Sequence, residues 1–503
     1  MKAFVRVLIV VCLAVVIVLL SFISYRAYHY LESPQSKAFS AIPSDATILI
    51  KSLQTQQMLD FCEKQKVFFS VLFSESSLSK INDLLKELSQ SQHKELTKKS
   101  SFYLSLHDNE GEENVFFAIE TSKEQNAKLS DFFKSIQKQY TNNTFIYKDK
   151  TIYRLQINNN VLFANSQNGL LLMSFDENLM RMAINQMKKG TSLQNSIEAF
   201  PNQRNANTEL LLCLQHKHFI PYLKNKIRKA GGDAAIADMF SSCQWTVFDI
   251  EMKKDDILFS GYTSVDNSAE RSILLTHFNN VIDFEKILSQ DANRIFPLSV
   301  KNVGDFQKIK PIVQVTEDVF SLMFPTQIIL FETKTDTALF HYLIVKSGNS
   351  SEAAFHLFNS LGSSFENGNY LLDTFHVGAS MAGQIHLQNF VLTQLGIGSQ
   401  LPLLNYYTII DDYIIFTDEK EGILHYLSQI RNNQTLKKST PYNEIQSYFS
   451  DKANLFYYYK FSENETVKNM SLNYYAKNID RIRFQFYAQS DSTFISNIVL
   501  RMK

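Results

Sequence analysis

Glycine and proline are scarce, with 15 and 9 among 503 residues, a balance that disfavours a loop-rich scaffold. The 40 phenylalanines and 23 tyrosines instead suit long helices and aromatic-rich strands, although a coding bias toward Phe, Asn, Lys and Ile would give the same skew. Net charge is also lacking, because Lys plus Arg and Asp plus Glu are 50 each. With no field to gather a polyanion, the composition speaks against a nucleic-acid partner. Motifs of high specificity are missing as well: there is no H-E-x-x-H, no P-loop, no G-x-G-x-x-G after a strand and no C-x-x-C. No metal, cofactor or catalytic residue is expected on these grounds.

Long hydrophobic runs are absent except at the start. An uncharged stretch from Val7 to Tyr25 approaches the roughly 20 residues that cross a hydrocarbon core as a helix. Lys2 and Arg6 precede it, so the positive-inside bias leaves the N-terminus cytoplasmic and the body periplasmic, with Arg26 weakening the asymmetry. A cleaved signal peptide would have a shorter apolar core and a small-x-small site, whereas this run continues into "SFISYRAYHY". The expectation is an uncleaved, single-pass anchor that partners the membrane. Cys12 lies too early in the run for lipidation. Beyond it only Cys62, Cys213 and Cys243 remain. They allow one disulfide, Cys213 with Cys243, or three buried thiols.

The body writes one phrase twice. "LLMSFDE" (Leu171 to Glu177) returns as "YIIFTDE" (Tyr413 to Glu419), each an apolar strand running into an acidic helix start. Met180, Ala183, Ile184 and Met187 then mark a helical face, and Ile423, Leu427 and Ile430 mark the second. Ser174 with Glu177, and Asp418 with Glu421, have capping-box spacing, so the paired acids are explained by helix initiation rather than catalysis. Further blocks recur in order. "FFAIETSKEQNAKLSDFFKSI" answers "HYLIVKSGNSSEAAFHLFNSL", "ELLLCLQ" answers "NLFYYYKF", and each half ends in an alternating hairpin. The second half carries an insertion around "HVGASMAGQIHLQNFVLTQLGIGSQLPLL".

The expected organisation is an anchor over 1–25, a tether over 26–40, and α+β repeats over 41–264 and 265–503. The fold class is α+β: two related units of mainly antiparallel sheet with helices packed on one face, preceded by one transmembrane helix.

Candidate chemistry is sparse. "GASMAG" offers Ser380 as a nucleophile, but a Gly is missing from the elbow pattern, and a small-residue strand explains it as well. "QHKHF" places His216 and His218 on one face of an expected strand, as metal ligands or as surface histidines. An N-terminal apolar run followed by "AIPSDATILIKSL", a strand entering a D-E helix and a later "TSLQ" resembles a family of bacterial envelope proteins known only as a domain of unknown function. The resemblance implies extracytoplasmic placement and a duplicated α+β body, and brings no catalytic residue. Three roles stay open: non-catalytic binding of a protein or envelope component, carriage of an apolar ligand in an aromatic groove, and serine hydrolysis through Ser380.

Overall fold

The computed structural model describes residues 37–89, 100–109, 111–122, 143–190, 210–229, 242–266, 284–299, 325–335, 338–347, 371–385, 404–450, 455–461, 478–490 and 492–503, with isolated positions 21, 193, 197, 237, 240 and 453. Two compact units divide at Cys213/Leu214.

The first unit is a ladder of eight strands. They are β1 (Ile48–Ser52), β2 (Phe102–Asn109), β3 (Glu112–Glu120), β4 (Asn143–Tyr147), β5 (Lys150–Ile157), β6 (Asn160–Gln167), β7 (Leu170–Ser174) and β8 (Leu210–Gln215). Their order across the sheet is β4-β5-β6-β7-β3-β2-β1-β8. Directly opposed residues of an antiparallel ladder share a face, so Leu49, Ser105, Phe116, Ser174 and Phe163 form one row. Phe116 to Glu120 and all of β7 are buried without alternation. Such strands are covered on both sides.

The covering helices are identifiable. Helix α4 (Glu177–Lys189) lies over the row just described, because Gln167 donates from that face to Met187 Sδ at 3.0 Å. Helices α1 (Thr55–Lys64), α2 (Lys66–Leu72) and α3 (Glu75–Ser89) take the other face, where Glu113 accepts from the Ser74 amide at 2.6 Å just ahead of α3.

The second unit holds helix α5 (His216–Lys229) and strands β9 (Cys243–Met252), β10 (Asp256–Val265), β11 (Ala292–Ser299), β12 (Pro325–Lys334), β13 (Leu339–Ser347), β14 (Leu371–Val377), β15 (Ser380–Ile385), β16 (Tyr406–Ile410) and β17 (Tyr413–Thr417). Helices α6 (Lys420–Arg431) and α7 (Thr440–Gln446) follow, then β18 (Leu455–Lys460), β19 (Ile479–Ala488) and β20 (Thr493–Met502). Its ladder runs β9-β10-β20-β19-β18-β11-β12-β13-β17-β16-β15-β14. Adding ten to each strand number of the first unit reproduces the last eight places of this order, read from its far end. Alternate residues Ile329, Phe331, Tyr342, Ile344, Ile415, Phe456 and Tyr458 make one core with Ile423, Tyr426 and Leu427 of α6 and Tyr442 of α7. Each such side chain contributes on the order of 1.5–3 kcal/mol by leaving water. Phe331 and Tyr342 stack at 4.3 Å within it.

The expected fold class needs correction in three respects. All strands belong to one twenty-stranded sheet rather than two separate ones. In the first unit helices cover both faces, as the non-alternating β3 and β7 require, rather than one. The expected membrane-spanning helix has no counterpart among the described residues, where no helix is long and apolar enough to cross a membrane. Of the run Val7 to Tyr25 only Ser21 is described.

Two local readings also change. His376 to Ile385 is not inserted but lies in hairpin β14–β15, the counterpart of β4–β5, so the extra residues fall within 386–403. The helices expected near 123–136 and 348–361 lie outside the described residues.

Candidate functional site

The paired acids serve structure, by different means in each half. Asp176 is the N-cap of α4, its Oδ1 accepting from the Leu179 amide at 2.8 Å, an interaction worth about 1 kcal/mol. Ser174 is not the cap. It is fully buried, donates to the Val115 carbonyl at 2.8 Å and accepts from the Asp176 amide at 3.0 Å. Glu177 pairs with Arg181 one turn on, and Gly190 closes the helix in the left-handed region at φ 69°. In the second half Glu419 stands at the cap position without a side-chain cap bond. Asp418 turns aside to accept from the His341 amide at 3.2 Å and face its Nδ1 at 2.8 Å.

Ser380 opens β15, half-buried, in the hairpin that faces it with Val377. Among the described residues no histidine or acid converges on its hydroxyl. His216 and His218 begin α5 rather than extending β8, so two residues apart they point about 200° apart round the helix. His216 is buried and its Nε2 meets Thr246 Oγ1 at 2.7 Å. Burial pulls its pKa down to about 4. Cys62, Cys213 and Cys243 are buried and in no disulfide, and burial pushes the thiols of Cys62 and Cys243 up to about 12. They are inert at neutral pH.

Sequence reasoning missed the constellation that most resembles a catalytic one. Ser105 and His107, two apart on β2, project from one face of the sheet. Ser105 Oγ lies 3.0 Å from His107 Nε2, and His107 Nδ1 lies 2.9 Å from Asp45 Oδ1. This is the order of a nucleophile, base and orienting acid. The serine, however, is 0% exposed in the middle of the sheet, and its hydroxyl faces the Phe116 carbonyl, an acceptor, at 3.5 Å. An acyl group has no approach to it, so the chain acts as a buried polar relay.

The second half has a related device. Asp45-Ala46 precedes β1 and Asp291-Ala292 opens β11, each alanine 1% exposed. Asp291 accepts from the Ser289 hydroxyl and faces His425 Nε2 at 2.5 Å. Burial alone would raise its pKa, but the bonds from His425 and Ser289 outweigh it and hold the carboxyl below its ordinary 3.8. The same bond lifts His425 above 6.5 against its own burial. The pair's contribution is therefore present between those two values. It fades as pH falls through the lowered pKa of Asp291 or rises through the raised pKa of His425. Here the serine bonds the carboxylate, not the imidazole, so no base acts on it. The signal was in the sequence: "SDATILI" and "QDANRIF" repeat an Asp-Ala pair before an apolar strand. Among the described residues no group of three His, Cys, Asp or Glu side chains could hold a metal.

No family model matches the chain, and no curated protein matches it. Two solved structures, crystal forms III and I of TP0453, superpose with a TM-score of 0.27 each, at 10% and 7% identity. They cover 49% and 46% of this chain and 88% and 80% of their own. Similarity that low carries no argument about fold or function.

Proposed function

We propose that this is a non-catalytic extracytoplasmic protein, held at the membrane by its N-terminal apolar run, whose body binds a protein or envelope component. The observation that carries it is the sealed Ser105: the serine and histidine arranged most like a catalytic pair are buried within the sheet, at 0% and 3% exposure. Neutral net charge and the absence of nucleotide and metal motifs agree with this. The common strand order supports an origin by duplication.

The test is to apply a membrane-impermeant lysine crosslinker to spheroplasts producing the full chain. Modified lysines in the body, together with a discrete conjugate absent from a control retaining only residues 1–40, are expected. A body left unmodified would overturn the placement, and modification without a reproducible conjugate would overturn the binding role.

A further inference from the structure

Hairpin β4–β5, at one end of the first unit's ladder, presents an isoleucine to water. Ile146 is 77% exposed, more than any other large apolar side chain among the described residues. Its direction is fixed by its neighbours. Alternate residues of a strand point to opposite faces, and the Arg181 guanidinium of α4 lies over the rings of Phe145 and Tyr147, 5.6 and 4.8 Å from their centroids. With both neighbours turned to the helix, Ile146 points away from it. Outlying strands are ordinarily blunted by charge or proline, so an apolar side chain here is not what folding asks for.

Lysines surround the tip. Lys148 and Asp149 form its two-residue turn, both at positive φ, and Lys150 stands opposite Tyr147. Helix α4 adds Lys188, whose Nζ donates to the Lys148 carbonyl at 3.0 Å, and Lys189 beside it. Four ammonium groups are thus set against the single carboxylate of Asp149, in a chain whose net charge is zero. Arg181 does not enlarge this surplus, because Glu177 pairs with it. Lys188 and Lys189 also suit the negative end of the helix dipole, and Lys148 steadies the tip against Asn185. The scaffold does not need the charges, however: the matching tip of β14–β15 reads Val377, Gly378, Ala379, Ser380.

We propose that this tip docks on an anionic bilayer surface, Ile146 entering the acyl boundary and the lysines meeting the lipid phosphates. Apolar burial and attraction to anionic headgroups add at such a surface, and this hairpin supplies both within a few residues. A soluble acidic partner would engage the lysines and leave Ile146 in water. The assignment rests on the membrane-tethered reading and names the bilayer as the envelope component.

Ile146→Trp places a reporter at the tip. The full chain is reconstituted with vesicles of brominated phosphatidylcholine, alone or mixed equally with phosphatidylglycerol, floated, and its emission corrected for Trp245 with the parent chain. Quenching is expected in the mixed vesicles and not in phosphatidylcholine alone, and sodium chloride should relieve it. Lys148→Asn, which tolerates the left-handed turn, and Lys150→Gln should each lower the ratio of docked to free tip about fivefold, the effect of one basic residue at an anionic surface. Neither side chain belongs to the core, so both variants keep the fold. Equal quenching in the two vesicles, or quenching indifferent to the lysines, would overturn charge-guided docking. No quenching in floated protein would overturn the proposal and leave the tether and protein capture standing. Failure to float with either vesicle would overturn the tether and the docking together. A spectral response to soluble polyglutamate as large as that to the mixed vesicles would overturn the lipid assignment in favour of an acidic polypeptide.

Discussion

Gly261→Ala should destabilise the second unit by more than about 4 kcal/mol, the range reserved for a named steric fault. Gly261 lies in the middle of β10, opposite Phe248 of β9 and Ser496 of β20. A Cβ there would stand 1.9 Å from the Val247 carbonyl oxygen, 2.8 Å from its carbonyl carbon and 2.9 Å from Phe248 Cα. All three are backbone atoms held in a ladder, so no side chain can swing aside. Either β9 peels from β10 or the register with β20 breaks. Room, not backbone conformation, is the constraint, since Gly261 does not lie in the left-handed region. Gly190 provides the contrast: its φ is 69° but nothing lies within 4 Å of an added Cβ. Gly190→Ala should cost only about 1 kcal/mol. Urea unfolding followed by circular dichroism separates the two, and a near-native midpoint for Gly261→Ala would contradict the close strand approach.

His216→Phe should remove much of the acid sensitivity of the same unit. The imidazole accepts or donates one hydrogen bond, to Thr246 Oγ1, which continues to Thr263 Oγ1 at 2.7 Å and Ser496 Oγ at 2.6 Å. Its Nδ1 is buried without a partner, so protonation would create an unmet donor and an unpaired charge. The folded pKa of about 4 lies below the ordinary 6.5. The unfolded chain therefore takes up the proton first. The stability from His216 is complete above pH 6.5 and is lost as pH falls from there toward 4. That difference corresponds to about 3 kcal/mol by pH 4. Phenylalanine keeps the ring contacts with Phe219 and Phe240. It gives up one hydrogen bond, about 1 kcal/mol at neutral pH. The free energy of unfolding from pH 8 to 4 should thus fall less steeply in the variant, the shared carboxylates cancelling in the comparison. Parallel profiles would show that His216 does not titrate as its burial requires.

Much of the strand content could be read from alternation and apolar runs. "ELLLCLQ", "NLFYYYKF" and both terminal hairpins became β8, β18, β9–β10 and β19–β20. The meander β4–β5–β6 was passed over, although its turns were written in the chain. Lys148-Asp149 between β4 and β5 and Asn158 between β5 and β6 take positive φ, as do Asn168-Gly169 in the next turn, from β6 into β7, where Asn-Gly is a strong hairpin signal. "QHKHF" misled because Leu210 to Gln215 and the helix after it join without a break, and neither Gly nor Pro marks the change at His216. The two-faced burial of β3 and β7 could be suspected from their unbroken apolar runs, but which helices cover each face depends on Gln167 and Glu113, partners far away in sequence. The polar sites were less legible still. Ser105 and Asp45 are 60 positions apart, and only the strand register brings His107 between them. Arg483 reads as a surface cation on an alternating strand. Only the rings of Phe449, Phe456 and Tyr442, from other elements, make it a buried one.

Under the proposed non-catalytic role, Ser105 and Ser380 are structural groups that take no part in acyl chemistry. Intact-mass analysis of the full chain after exposure to a fluorophosphonate between pH 6 and 9 tests that role. No adduct on Ser105 or Ser380 is expected in the folded protein. A stoichiometric adduct on either serine, abolished for Ser105 by His107→Ala, would contradict the claim.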